Sequence, residues 1–202
     1  YQSCVGGTPA FILVSSGTDG LNNTNWLFGG GTLTATDVEP ASLAAGAEGD
    51  VLVGFTLVNL LPVDGKIVID FPAGFDATGL AAVTNVANID GGWSAALSNG
   101  DGTNDVVTLT RDGSGTLVAG GTAIQIRLED QVRNPQVSGS AGTYGLQTQL
   151  NNGAALDSAT AAADTITPGA LTSTDVQPAS LLIGANGSVT VDFTTTNPVP
   201  LD

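Results

Sequence analysis

Reactive side chains are scarce in this sequence, and those present favour a non-catalytic role. The 202 residues include no histidine and a single cysteine, Cys4. A Ser-His-Asp triad, a Cys-His pair and histidine ligation of a metal therefore cannot be assembled. One cysteine also excludes an intrachain disulfide and a cysteine-ligated zinc site, which leaves Cys4 as a plain thiol or as a bridge to another chain.

Acidic residues are the remaining candidates for chemistry. Paired carboxylates could serve a glycosidase, but nearly every Asp precedes a Gly or takes an outward strand position, where turn and surface roles explain it. Oxygen ligands that suit calcium occur in the run Asp101-Gly102-Thr103-Asn104-Asp105, although this run lacks the bidentate Glu of an EF-hand loop. We therefore expect no enzyme activity and no cofactor. Calcium at this loop is the alternative to a plain hairpin.

An internal repeat organises the chain and therefore the secondary structure on which any functional site would lie. Residues 33–64 align with residues 171–202 without a gap, and nineteen of the 32 positions are identical. The repeat predicts a leader over residues 1–32, one complete repeat over 33–170 and the first strands of a following repeat over 171–202. A fraction of a domain cannot bury its own apolar face, so we expect both flanking parts to be completed elsewhere.

The leader is interpreted as the tail end of a preceding repeat. Phe11 and Leu13 align with Tyr144 and Leu146 of the complete repeat when short gaps are allowed, and Phe28 aligns with Ile166.

Composition predicts an all-β protein, an antiparallel β-sandwich. Gly is abundant at 28 residues, Met is absent, and short alternating segments are separated by Asp-Gly and Gly-Gly dipeptides that favour hairpin turns. Nineteen acidic residues against four basic ones give a net charge of -15. Phosphate binding needs clustered Lys and Arg, so we expect no nucleic-acid partner. No apolar run approaches the roughly 18 to 20 residues of a membrane-spanning helix.

The two copies of the repeat predict which face of the strand at residues 50–58 is buried. Three apolar residues of this strand recur unchanged in the second copy, Val51 as Val189, Val53 as Val191 and Phe55 as Phe193. The positions that alternate with them are all polar in the second copy, with Thr190 for Leu52, Asp192 for Gly54, Thr194 for Thr56 and Thr196 for Val58. The unchanged set is therefore predicted to be core, and the changed set to face water.

Two N-glycosylation sequons occur in predicted turns. They are Asn22-Asn23-Thr24 and Asn186-Gly187-Ser188. Asn186 is the preferred glycan site, because its counterpart in the first copy is Glu48, another solvated residue.

Four segments carry a resemblance to known proteins: DVEPASLAAGAEGDVLVGFT, LPVDGKIVIDFPAGF, VVTLTRDGSGTLVAGGTAIQIRLEDQVRNP and GSAGTYGLQTQ. Their succession resembles the tandem β-sandwich (Ig-like) repeats of large extracellular and surface proteins of algae, other protists and some bacteria. The resemblance implies an extracellular location and fibrous material built from filament subunits. It supplies no catalytic residues.

Two functions are compatible with these observations. The first is a structural protein that polymerises head to tail into a helical homopolymer, with strand complementation between subunits. Its assembly residues would be Val189, Val191 and Phe193 in the tail, and Phe11, Leu13, Trp26 and Phe28 in the leader. The second is an acidic, glycosylated, adhesin-like binding module, and this sequence would then be one part of a long tandem-repeat surface protein.

Overall fold

A computed structural model describes residues 12–14, 26–99 and 105–195, and these residues contain strands and turns but no helix. The strands are β1 (Ile12–Val14), β2 (Trp26–Phe28), β3 (Gly31–Thr32), β4 (Thr34–Pro40), β5 (Glu48–Thr56), β6 (Lys66–Asp70), β7 (Ala82–Ala87), β8 (Trp93–Ser98), β9 (Val106–Arg111), β10 (Ala123–Arg133), β11 (Gly139–Ser140), β12 (Tyr144–Gln149), β13 (Ala155–Ala161), β14 (Thr165–Ile166), β15 (Leu171–Pro178) and β16 (Val189–Thr195).

Two sheets form the sandwich. One has the strand order β4-β5-β10-β7, and the other has the order β3-β13-β12-β6-β9-β8. Neighbouring strands within them are antiparallel, except that β3 runs parallel to β13. The prediction of an all-β, antiparallel β-sandwich is confirmed.

One apolar core lies between the sheets, and it is built from alternate residues of their strands. In β5, Val51, Val53 and Phe55 are at most 2% exposed. The facing sheet contributes residues such as Ile67 and Leu109, both fully buried. Since successive side chains of a strand point to opposite faces, β-branched and aromatic residues at every second position place one continuous apolar surface inside.

The last segment of the sandwich is hydrogen-bonded to its first hairpin. The Thr167 amide donates to the Leu43 carbonyl at 2.8 Å, and the Ala45 amide donates to the Thr167 carbonyl at 2.8 Å. These two bonds bring the segment after β14 against the turn that joins β4 to β5.

The structure corrects one detail of the predicted faces. Gly54 is buried rather than facing water, because β5 lies inside its sheet between β4 and β10. A Cβ atom at Gly54 would lie 3.4 Å from Cγ of Gln125 on β10, which shows how closely that side chain lies over the strand.

Candidate assembly site

The tail hairpin, residues 171–195, reproduces the first hairpin of the sandwich. Val176 of β15 pairs with Val191 of β16, as Val38 of β4 pairs with Val53 of β5. Both hairpins shift register at the same place in the repeat, between Thr34 and Asp37 in the first and between Thr172 and Asp175 in the second.

Backbone details within the two hairpins also agree. Ala35 and Ser173 take equivalent positions at the register shift, with φ of 48° and 50°. The turn glycines Gly46 and Gly184 have φ of 69° and 74°. Positive φ is costly for a residue with a side chain, so its recurrence at Ala35 and Ser173 indicates that the repeated sequence specifies one local geometry.

The two hairpins differ in what covers them. Val51, Val53 and Phe55 are 1%, 0% and 2% exposed, whereas their counterparts Val189, Val191 and Phe193 are 55%, 57% and 53% exposed. Every residue of the tail hairpin is exposed. An apolar face that is core in one copy is therefore uncovered in the other, among the residues that the structure describes.

In the first hairpin the facing sheet buries the apolar face, and other parts of the sandwich pair with its edge and hold its turn. Strand β10 pairs with β5 along most of its length. The buried Asn134 lies behind the turn. Its side-chain Nδ2 donates to the carbonyls of Ser42 and Ala44 at 2.5 and 3.0 Å, and its backbone amide donates to the Ala47 carbonyl at 2.9 Å. In the described part of the chain, β16 pairs only with β15, so the tail hairpin lacks an equivalent strand.

The tip of the tail hairpin adds apolar residues that sequence reasoning did not select. Leu181, Leu182 and Ile183 are 89%, 79% and 105% exposed. Leu182 and Ile183 stand where the first copy has Ala44 and Ala45, and Ala45 is 6% exposed. The sequence does carry a signal for the tip, because two small alanines of the first copy are replaced by the larger Leu182 and Ile183 in the second.

The structure places the predicted glycan site beside this face. Asn186 is exposed in the segment directly before β16. Its counterpart Glu48 accepts a hydrogen bond from Nε of Arg133 at 2.8 Å and keeps 48% of its side chain exposed even though the first hairpin is covered. Asn22 lies outside the described residues.

The predicted leader residues are only partly described. Leu13 lies in β1, and Trp26 and Phe28 lie in β2. These two strands pair with each other in parallel, with Leu13 opposite Leu27 and Val14 opposite Phe28. No described sheet joins either of them to β16. Phe11 lies outside the described residues.

Most of the candidate calcium loop also lies outside the described residues, which resume at Asp105. That residue is fully buried, and its carboxylate accepts a hydrogen bond from the Ala77 amide at 2.8 Å. Over the described ranges, no three His, Cys, Asp or Glu side chains cluster in a way that could hold a metal ion. The same ranges contain no helix that is long and apolar enough to cross a membrane.

A buried arginine holds three loops of the sandwich together. Arg111 is 2% exposed, and its guanidinium donates to the carbonyls of Pro62, Asp90 and Thr116 at 2.8, 2.9 and 2.7 Å. The Asp90 carboxylate lies 3.2 Å from the guanidinium. Burial lowers the pKa of Arg111, and a hydrogen bond from the Thr116 amide lowers the pKa of Asp90. The two terminal nitrogens of the guanidinium are bonded to protein groups and its buried Nε has no hydrogen-bond partner; because the bonded groups are backbone carbonyls of three loops, we assign Arg111 a structural role.

Tyr144 is a buried core residue that also carries a polar group. It packs edge-on against Phe71, with ring centroids 5.9 Å apart, and its hydroxyl donates to Asp164 at 2.6 Å. Burial, and then the bond to Asp164, raises the pKa of Tyr144. A phenol held neutral and bonded in this way anchors the core rather than transferring protons.

Comparison with known proteins leaves the family open. No protein-family model and no curated protein matches the chain. Among solved structures, the chain is similar to BslA, a bacterial hydrophobin, at 18% identity and a TM-score of 0.36, over 68% of this chain and 98% of that one. It is also similar to a non-cellulosomal cohesin from the hyperthermophilic archaeon Archaeoglobus fulgidus, at 11% identity and a TM-score of 0.34, over 64% of this chain and 88% of that one. At these TM-scores neither likeness identifies the protein.

Proposed function

We propose that this protein is a non-enzymatic structural subunit of an extracellular helical fibril, in which strands of one subunit complete the sheet of the next, head to tail. The observation that carries the proposal is the uncovered apolar face of the tail hairpin, whose equivalent in the first hairpin is buried in the core of the sandwich. A flat, exposed apolar strand is an aggregation hazard unless it is paired. Controlled pairing with a neighbouring subunit removes that hazard.

The chemistry of the tail supports strand complementation. Each of Val189, Val191 and Phe193 would contribute on the order of 1.5 to 3 kcal/mol when fully buried, and main-chain hydrogen bonds to an added strand would fix the register. Contact between the tail of one subunit and a different surface of the next does not close on itself, so it generates a filament. The leader, with Phe11, Leu13, Trp26 and Phe28, is proposed to supply part of the opposing surface.

Location and surface chemistry are proposed from the sequence. The net charge of -15 gives subunits a solvated, mutually repelling exterior. A glycan at Asn186 would lie beside the assembly face without entering it, because the equivalent Glu48 remains half exposed when its hairpin is covered.

The proposal is tested by two double variants that introduce the same charge on opposite faces of β16. Val191→Asp with Phe193→Asp alters the face that we expect to be buried, and Thr190→Asp with Thr194→Asp alters the outward face of the same strand. The first variant should leave the sandwich folded but abolish fibres in electron micrographs, and the control should still form them. Fibres of normal appearance from the first variant would contradict the proposal.

A binding module within a long tandem-repeat protein is the second candidate. The continuous alignment of the two copies within one polypeptide favours it, because the tail hairpin could then be completed by the same chain. The mass of the denatured native polypeptide separates the two candidates. A mass near 20.0 kDa, that of this chain, supports discrete subunits, and a mass several times larger supports an acidic, adhesin-like tandem protein.

A further inference from the structure

The outer face of the six-stranded sheet differs in charge from the chain as a whole. Its residues alternate with the buried core residues of each strand, and none of them is buried. They are Ser94, Ala96 and Ser98 of β8, Val106, Thr108 and Thr110 of β9, Lys66, Val68 and Asp70 of β6, Gly145, Gln147 and Gln149 of β12, and Ser158 and Thr160 of β13. One lysine and one aspartate are the charged residues of this face, so it is neutral in a chain with a net charge of -15.

The outer face of the four-stranded sheet is acidic by comparison. Its outward positions on β4, β5 and β10 include Asp37, Glu39, Glu48, Asp50 and Glu129, against Arg127 and Arg133. Acidic residues therefore outnumber basic ones there, and two copies would repel each other at this face. The neutral face is the one that a second acidic copy can approach.

Lys66 and Asp70 lie on the same strand but are too far apart to form an ion pair with each other. They are four residues apart on β6, which corresponds to about 13 Å in an extended strand. Each of the three arginines takes part in an ion pair, whereas Lys66 has none among the side chains that the structure describes. Asp70 is exposed beside Gly145 of β12, where a Cβ atom would lie 3.0 Å from that of Asp70. Both charges are therefore accessible to a partner.

We infer that this face binds the same face of a second copy, with the strands of the two sheets antiparallel and Val68 at the two-fold axis. Lys66 of each copy then lies opposite Asp70 of the other, so one symmetry operation forms two ion pairs. Packed sheets lie about 10 Å apart, a gap that an extended lysine and an aspartate side chain bridge together. The angle of about 30° between packed sheets moves Lys66 sideways by only about 3 Å, because it lies about 7 Å from Val68.

Charge disfavours the parallel orientation of the two sheets. That orientation would set Lys66 against Lys66 and Asp70 against Asp70, and like charges that meet across an interface cost binding energy. It would also bring together the acidic turns next to the paired residues Lys66 and Thr110, which contain Asp64 and Asp112. In the antiparallel orientation these turns lie at opposite ends of the interface.

The dimensions of the face predict a weak contact between two single subunits. Five strands about 4.8 Å apart, with up to three outward residues along each, give about 500 Å² per copy, or about 1,000 Å² in total. This area is at the lower limit for a specific interface. The contact is separate from the tail hairpin and does not depend on the fibril proposal. Within fibres it would be repeated at every subunit and would join filaments side by side.

Sedimentation equilibrium of the full chain tests the inference in the background Val191→Asp with Phe193→Asp, which removes assembly through the tail. The mass should rise with concentration from 20.0 kDa toward twice that value. Lys66→Asp and Asp70→Lys, made separately, should each raise the dissociation constant by about tenfold or more, because two attractive pairs become repulsive. The two changes together should restore the constant to within about threefold. Arg127→Asp, the same charge change on the other outer face, is the matched control for Lys66→Asp and should leave the constant unchanged.

Asp70→Lys separates the paired contact from general charge repulsion. It makes the chain less acidic, so reduced repulsion alone would strengthen association, whereas loss of the ion pairs weakens it. The inference is overturned by a chain that stays monomeric at about 1 mM, by single reversals that leave the dissociation constant unchanged, or by a double reversal that fails to restore it. None of these results bears on the fibril proposal, which depends on whether the variants of β16 form fibres.

Discussion

Replacing Phe55 and Phe193 separately by Ala compares one side chain in two environments. Phe55 is 2% exposed and Phe193 is 53% exposed, at equivalent positions of the two hairpins. Truncating a phenylalanine packed on all sides costs about 3 to 5 kcal/mol of the free energy of unfolding. At about 3 °C per kcal/mol for a domain of this size, Phe55→Ala should lower the melting temperature by about 10 to 15 °C. Phe193→Ala should change it by less than about 2 °C, the range of ordinary surface substitutions.

Differential scanning calorimetry of the dilute, unassembled chain measures both effects on the same cooperative transition. The control is Thr194→Ala, which removes a smaller side chain from the outward face of β16. Similar falls for Phe55→Ala and Phe193→Ala would refute the reasoning, because they would show that the tail hairpin packs on the same core as the first. In assembled material the difference should disappear, since Phe193 would then be buried by the neighbouring subunit.

The other predictions concern the sandwich and its surface. Arg111→Ala should cost about 3 kcal/mol or more of unfolding free energy in urea titrations, because it removes the donor shared by the carbonyls of Pro62, Asp90 and Thr116, whereas Arg127→Ala, at an exposed ion pair, should cost at most about 1 kcal/mol. Hydrogen bonds from Ser114 lower the pKa of Asp112 below its ordinary value of 3.8, so its contribution to stability is present above that pH and is lost as the pH falls through the lower folded value. Melting temperatures measured between about pH 2 and pH 6 should therefore fall at the acid end, and less so in Asp112→Asn. Peptide mapping of native material should find a glycan on Asn186, and an unmodified Asn186 throughout would contradict that prediction.

Strong alternation made several strands predictable from the sequence. β5, β6, β10 and β12 carry apolar residues at alternate positions, such as Ile67, Ile126 and Tyr144, and these residues are buried. β7 and β13 were not predicted. Their sequences, AVTNVA and ALDSATA, are rich in small and polar residues, and their place in the sandwich depends on long-range pairing with β10 and β12.

Buried polar groups were harder to predict than buried apolar ones. The period of two that places Val107 and Leu109 inside continues to Arg111, but a positive charge ordinarily indicates solvent. Only the three-dimensional arrangement of the surrounding carbonyls shows why the guanidinium is stable there. Asp157 is similar, because the donors from Val58 and Asn59 lie about a hundred residues away along the chain. The candidate assembly face followed directly from comparing the two copies, since their apolar positions are identical while their surroundings differ.

The bonds between Thr167 and the first hairpin have a mechanical consequence for any fibre built from these modules. Tension along the fibre would reach each sandwich through the segment just before the tail, which is held to the Leu43 and Ala45 backbone by three hydrogen bonds of Thr167. Force on that segment therefore passes directly into the first hairpin. Strand β5 of this hairpin is hydrogen-bonded to β10 along most of its length. The module thus resists stretching at its junction before its core is deformed, and a fibre of such modules should extend by sequential release of junctions.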